Sequence, residues 1–136
     1  MKRFLAILLI IGLWPTATLA DPALAVGQVW SIRATPPSSA KVIIGRIEPY
    51  GGKTAVSISV IDAPTDHGPV TIAHLPFEER ALVASLGQLI STGVTPPAEF
   101  EQGYLKWKLD QGGVYVISVA DVIAVLDPPP PTRPTQ

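Results

Sequence analysis

The chain is 136 residues long and 47% hydrophobic, with 15 prolines, no cysteine and a formal net charge of −1. That length suits one small domain, and the missing cysteine excludes a disulfide framework, a thiolate zinc site, a thiol nucleophile and a lipid-modified thiol. Without Lys2 and Arg3 the rest of the chain carries 8 basic and 11 acidic residues, which argues against the basic stripe of a nucleic-acid binder.

Met1-Lys2-Arg3 is a positive segment, residues 4–14 are apolar apart from Gly12, and Pro15 breaks the run. Thr18-Leu19-Ala20 then places small residues at the −3 and −1 positions, completing a secretory signal peptide over residues 1–20. Ala23-Leu24-Ala25 offers a second cleavage point, after Ala25. The apolar run is about half the roughly 20 residues that a membrane span needs. The expectation is therefore a periplasmic or secreted protein with no stable membrane insertion after cleavage.

Residues 28–35 predict a first strand, with Val29 and Ser31 on one face and Trp30, Ile32 and Ala34 on the other. Pro36-Pro37-Ser38-Ser39 is a turn. Residues 41–48 predict a second strand, and Gly51-Gly52 a tight turn. In residues 54–62, Val56, Ile58 and Val60 alternate with Ser57, Ser59 and Ile61, the period of a sheet with one buried face. Residues 63–69 read as a loop and residues 70–73 as a short edge strand.

Leu82, Leu86, Leu89 and Ile90 keep the i, i+4, i+7, i+8 spacing of an apolar stripe, so the pattern predicts a helix over residues 78–91. A second helix is expected over residues 98–109, with Thr95 as its cap, Glu99 and Glu101 near its start and Lys106 and Lys108 near its end. Gly112-Gly113 stops it. Residues 114–119 predict a last strand, and residues 120–126 a short closing helix or strand. Residues 127–136, with four successive prolines, form a disordered tail that acts as a spacer or a recognition segment.

No complete catalytic set accompanies these elements. His67 and His74 with Asp62 and Asp66 lack metal-ligand spacing, and Asp66-His67-Gly68 reads as turn chemistry. There is no Gly-x-Ser-x-Gly elbow, and Ser57, Ser59 and Ser118 lie in predicted strands. Glu78 and Glu79 diverge on a helix surface, which suits dipole compensation better than paired acid-base work. No phosphate-cradling glycine loop is present. Phe100, Tyr104 and Trp107 form an aromatic stripe, either a ligand groove or core packing, with Trp30 as its natural partner. His74 sits where a strand or loop enters a helix, a place where an imidazole satisfies backbone groups.

The order Gly27-Gln28-Val29-Trp30, Val56-Ser57-Ile58-Ser59-Val60, His74-Leu75-Pro76-Phe77 and Gly112-Gly113-Val114-Tyr115 resembles an uncharacterised family of small bacterial proteins, over residues 27–124. The resemblance implies no activity; it marks His74 and Phe77 as parts of a shared structural or binding feature. The chain departs from it at the first turn, which in such proteins is polar and contains glycine.

Together these readings predict an α+β domain over residues 21–126. Its curved antiparallel sheet has four to five strands, as an open sheet or a partly open barrel, with two helices packed on one face. The expected role is a non-catalytic binding or interaction module for a protein or small ligand, with no cofactor and no metal. Candidate binding residues are Trp30, His74, Phe77, Tyr104 and Trp107. Two alternatives stand beside it: a small hydrolase or metal-dependent enzyme using His74, His67 and Asp62, and an inhibitor or immunity-type partner of another exported protein.

Overall fold

The computed structural model describes residues 23–127. The leader over residues 1–20 and the proline tail from residue 128 lie outside the described residues. The fold is α+β, with a five-stranded antiparallel sheet that does not close. Strands β1 (Val29–Ile32), β2 (Lys41–Tyr50), β3 (Lys53–Ala63) and β4 (Val70–Glu78) form a meander. After helix α1 (Glu79–Ser85), strand β5 (Leu86–Ser91) returns beside β1, giving the order β4-β3-β2-β1-β5. Helices α2 (Phe100–Leu109) and α3 (Val119–Leu126) complete the fold.

The β2–β3 hairpin closes where the sequence places it. Gly51 and Gly52 have φ of 57° and 79°, and Tyr50 pairs with Lys53 across them. Two successive positive φ angles match the right-handed twist of the flanking strands and favour glycine at both positions.

Val56, Ile58 and Val60 define the inner face of the sheet. With Trp30, Ile32, Val42, Ile44, Leu75 and Phe77 they meet Leu82 of α1 and Val119, Val122 and Ile123 of α3 in the main core. A register shift between Ile44 and Arg46 frees Gly45 from the ladder. It leaves Ile44 and Ile47 both directed at that core.

Two helices therefore share one face, but they are α1 and α3; α2 lies across the opposite face. There Phe100, Tyr104 and Trp107 pack on Ala55 in a separate cluster. This corrects the sidedness read from β3. Ser57 and Ser59 were expected on an open face and are fully buried, because α2 covers them. It also separates Trp30 from the aromatic stripe, since Trp30 belongs to the main core.

The helix expected over residues 78–91 stops at Ser85. Leu82 and Leu86 are buried, but Leu89 and Ile90 are 38% and 50% exposed on a strand. The leucine spacing fits both structures, and tertiary pairing decides between them. β1 offers an open ladder, to which Ile32–Leu86, Trp30–Leu89 and Val29–Ser91 pair with two register shifts. The Ser31 hydroxyl accepts the Gln88 N–H at 2.8 Å. A Cβ on Gly87 would stand 2.5 Å from that same oxygen, so glycine permits the approach.

Three smaller differences follow from local partners. β4 is nine residues long rather than four, and it passes through Pro76 as an edge strand can. The strand expected over residues 114–119 reduces to one parallel bridge between Tyr115 and Phe77. Ser118 instead caps α3, its hydroxyl accepting the Asp121 N–H at 3.1 Å. Thr95 does not cap α2, which begins after Glu99 without a side-chain cap.

Gly45 sets the distance between α2 and the sheet. A Cβ there would lie 2.3 Å from Phe100 Cζ. Gly45→Ala is expected to destabilise the fold by about 1–3 kcal/mol through overpacking. Urea unfolding checks this as a lower midpoint with an unchanged slope.

Candidate functional site

The five candidate binding residues divide between the two faces. Phe77 is fully buried in the main core, with its ring 5.5 Å from that of Tyr115. Trp30 is in the same core but reaches the wall of a cleft. His74, Tyr104 and Trp107 come together on the α2 face. The His74 ring centre lies 5.5 Å from Phe100, 6.0 Å from Tyr104 and 5.6 Å from Trp107.

The α2 face is a hydrogen-bonded layer in which His74 is half-buried and Trp107 also lines a cavity of about 380 Å³ beside Pro76 and Tyr115. Ser57 Oγ lies 2.9 Å from His74 Nε2, and Ser59 Oγ donates to the Ala73 carbonyl at 2.6 Å. The Trp107 indole N–H donates to the Gly113 carbonyl, and the Tyr50 hydroxyl to that of Gly112. A serine and a histidine at this distance have the spacing of a nucleophile and base. Ser57 is fully buried beneath α2, however, which fits a partnered buried hydroxyl. Burial pushes the His74 pKa below its ordinary value.

Charges rim this layer. Glu48 Oε2 accepts from the Tyr104 hydroxyl at 3.0 Å and from Lys108 Nζ at 2.7 Å. Burial alone would raise the Glu48 pKa, but these two bonds and the charges of Lys108 and Arg46 bring it below the ordinary value. The Arg46 guanidinium lies 4.0 Å over the Tyr104 ring and pairs with Glu101 at 3.2 Å. These contacts fasten α2 to β2.

The three residues of the metal reading have separate surroundings. Asp62 pairs with Lys41, His67 is exposed in the β3–β4 loop, and His74 faces α2. Among the described residues no group of three or more His, Asp or Glu side chains is placed to hold a metal ion. The predicted turn at His67 is present: Thr65 Oγ1 accepts the His67 N–H and donates to the Gly68 carbonyl.

An open feature lies on the inner face, at the β1–β5 end of the sheet. A cleft of about 590 Å³ runs between Leu24, Trp30, Val83 and Ala84 on its apolar walls, bordered by Leu86, Gly87 and Leu89 of β5. Arg33 and Gln88 supply its polar groups. This is the size of a small-ligand site, 300–1,000 Å³ or so in general.

One glutamine shapes the wall. The buried Gln28 Oε1 accepts the Trp30 indole N–H and the Ala25 N–H, both at 3.0 Å. Gln28 Nε2 donates to the Ala23 carbonyl at 3.0 Å. The side chain thus straps residues 23–25 beside Trp30, with Leu24 packed against the core. Sequence reasoning missed Gln28, Arg33 and Gln88. Only Gln28 left a signal, as an amide two residues before a tryptophan on the same strand face.

No helix among the described residues is long and apolar enough to cross a membrane. Comparison with protein-family models, curated proteins and solved structures finds no match.

The lowered His74 pKa predicts a pH dependence. The unfolded chain takes up a proton near pH 6.5, while the folded state resists it to lower pH. Stability is therefore full above about pH 6.5 and falls as pH drops below it. Urea midpoints at pH 7.5 and 5.5 should show this loss, and His74→Gln should reduce the pH-dependent part while lowering stability at both values.

Proposed function

We propose that this chain is an exported, non-catalytic binding module. Its ligand site is the cleft at the β1–β5 end of the sheet, and it takes an amphipathic anion. One observation carries the reading: a 590 Å³ cleft whose lining is part apolar and part polar, with Arg33 as the cation at its border. Trp30, Val83, Leu86 and Leu89 offer indole and aliphatic surface for an apolar body. Arg33 is exposed and its backbone N–H is anchored to the Ser85 carbonyl at 2.7 Å. Its guanidinium offers planar donors to a carboxylate, sulfonate or phosphate. The lining is suited to holding a molecule rather than to breaking a bond. The leader-like residues 1–20 support the exported setting, with periplasmic or secreted delivery.

The test uses anilinonaphthalene sulfonate, an amphipathic anion, as the probe. It should bind with quenching of Trp30 fluorescence. Arg33→Glu, at an exposed position, should weaken binding at least tenfold, by about 1.4 kcal/mol or more, and leave the unfolding midpoint nearly unchanged. Absence of binding, or equal binding by the variant, would overturn the reading.

A further inference from the structure

We infer that residues 23–25 form a strap on the cleft, latched by Gln28 and closed by the ligand, and that Leu24 limits the length of apolar body the cleft accepts. The inference rests on the cleft being the ligand site, and it adds the rule by which that site selects among amphipathic anions. Residues 23–26 lie outside every helix and strand, and Ala23, Ala25 and Val26 are exposed. Among the described residues, the hydrogen bonds of this segment run to Gln28 alone. Gln28 Oε1 accepts the Ala25 N–H at 3.0 Å, and Nε2 donates to the Ala23 carbonyl at 3.0 Å. The Gln28 backbone N–H donates to the Ala25 carbonyl at 3.2 Å. The firm frame begins at Gly27, whose N–H donates to the Ile44 carbonyl at 2.8 Å and whose carbonyl accepts the Val94 N–H at 2.9 Å. Gly27 has a φ of 90°, a glycine conformation that turns the chain from the strap into the sheet. A short exposed segment with one latch and one packed side chain, Leu24, belongs to the parts of a fold that open locally.

The latch and the cleft wall are one unit. The Gln28 oxygen that holds Ala25 also accepts the Trp30 indole N–H at 3.0 Å, so Leu24 and Trp30, both lining the cleft, are positioned from one atom. Gln28 is 7% exposed and does not line the cleft itself, which makes it a positioning residue. A ligand packed against Leu24 and Trp30 together makes its full contact with the strap closed. It therefore binds the closed state more tightly, and its binding shifts the strap toward closure by the same factor. Arg33 stands three residues beyond Trp30, about 10 Å along an extended chain. An anionic head held by Arg33 directs its apolar body toward Trp30, with Leu24 latched beside it. A body that extends past Leu24 must displace the strap and forfeit the latch, so the closed cleft favours bodies that stop there.

Displacement of anilinonaphthalene sulfonate by alkyl carboxylates, from octanoate to dodecanoate and below their micelle concentrations, tests the selection. The protein is the chain as processed by the expressing cell. Leu24→Ala should raise the ratio of dodecanoate to octanoate affinity at least fivefold. Val26→Ala, 60% exposed and outside the cleft lining, should leave that ratio unchanged. Amide hydrogen exchange tests the latch: saturating probe should slow exchange at Ala25 at least tenfold. Gln28→Met should weaken probe binding at least tenfold and abolish that protection. Should Gln28→Met fail to fold, the Leu24→Ala ratio and the Ala25 exchange of the unaltered protein decide the matter alone. An unchanged ratio in Leu24→Ala, Ala25 exchange indifferent to the probe, or a purified chain that begins at Val26 by mass spectrometry would overturn the strap. Binding of the probe with an unchanged ratio refutes the strap alone, whereas no binding by the unaltered protein refutes the ligand cleft and the strap with it.

Discussion

β3 is buried on both faces, and the rest of the molecule is arranged around that constraint. One face carries valine and isoleucine and meets α1 and α3 without polar cost. The other carries Ser57 and Ser59, and burying an unpaired hydroxyl is expensive. Covering that face is stable because His74 and the Ala73 carbonyl supply partners within 2.9 Å. The glycines at 45 and 103 then let α2 approach closely, against Phe100 and His74 respectively. The aromatic side chains of α2 fill the space that the small serines leave.

Much of the sheet was legible because its signals are local. β-branched alternation marked β2 and β3, and two glycines marked their hairpin. The charge order of α2 was also legible, with Glu101 in its first turn and Lys106 and Lys108 in its last. What stayed hidden depends on distant partners. The leucines of residues 82–90 satisfy a helical stripe, and only the open ladder of β1 turns the second half into a strand. Alternation in β3 showed two different faces, but serine spacing does not reveal whether a helix will cover the polar one. For the same reason Trp30 and the stripe of Phe100, Tyr104 and Trp107 looked like partners although the sheet lies between them.

The candidate site was less legible than the fold. Of the five residues singled out, Trp30 alone borders the cleft. His74, Tyr104 and Trp107 are drawn into the hydrogen-bonded layer under α2, and Phe77 into the core. Aromatic and imidazole side chains attract attention as ligand groups, yet in a small domain without disulfides they also supply scarce packing area. The open surface is made instead from residues of little individual distinction: a leucine before β1, an arginine after it, and an uncharged edge strand. Their meaning comes from β5 lying beside β1, which no local pattern announces.

The amide of Gln28 has a consequence for how the front of the chain can be trimmed. An aminopeptidase working inward would meet backbone already committed at Ala23 and Ala25, each bonded to that one side chain. A cut after Ala20 leaves the clasp whole. A cut after Ala25 releases Leu24, removes one wall of the cleft and leaves the amide of Gln28 with only the Trp30 indole. The glutamine thus marks the shortest front end with which the cleft keeps its shape.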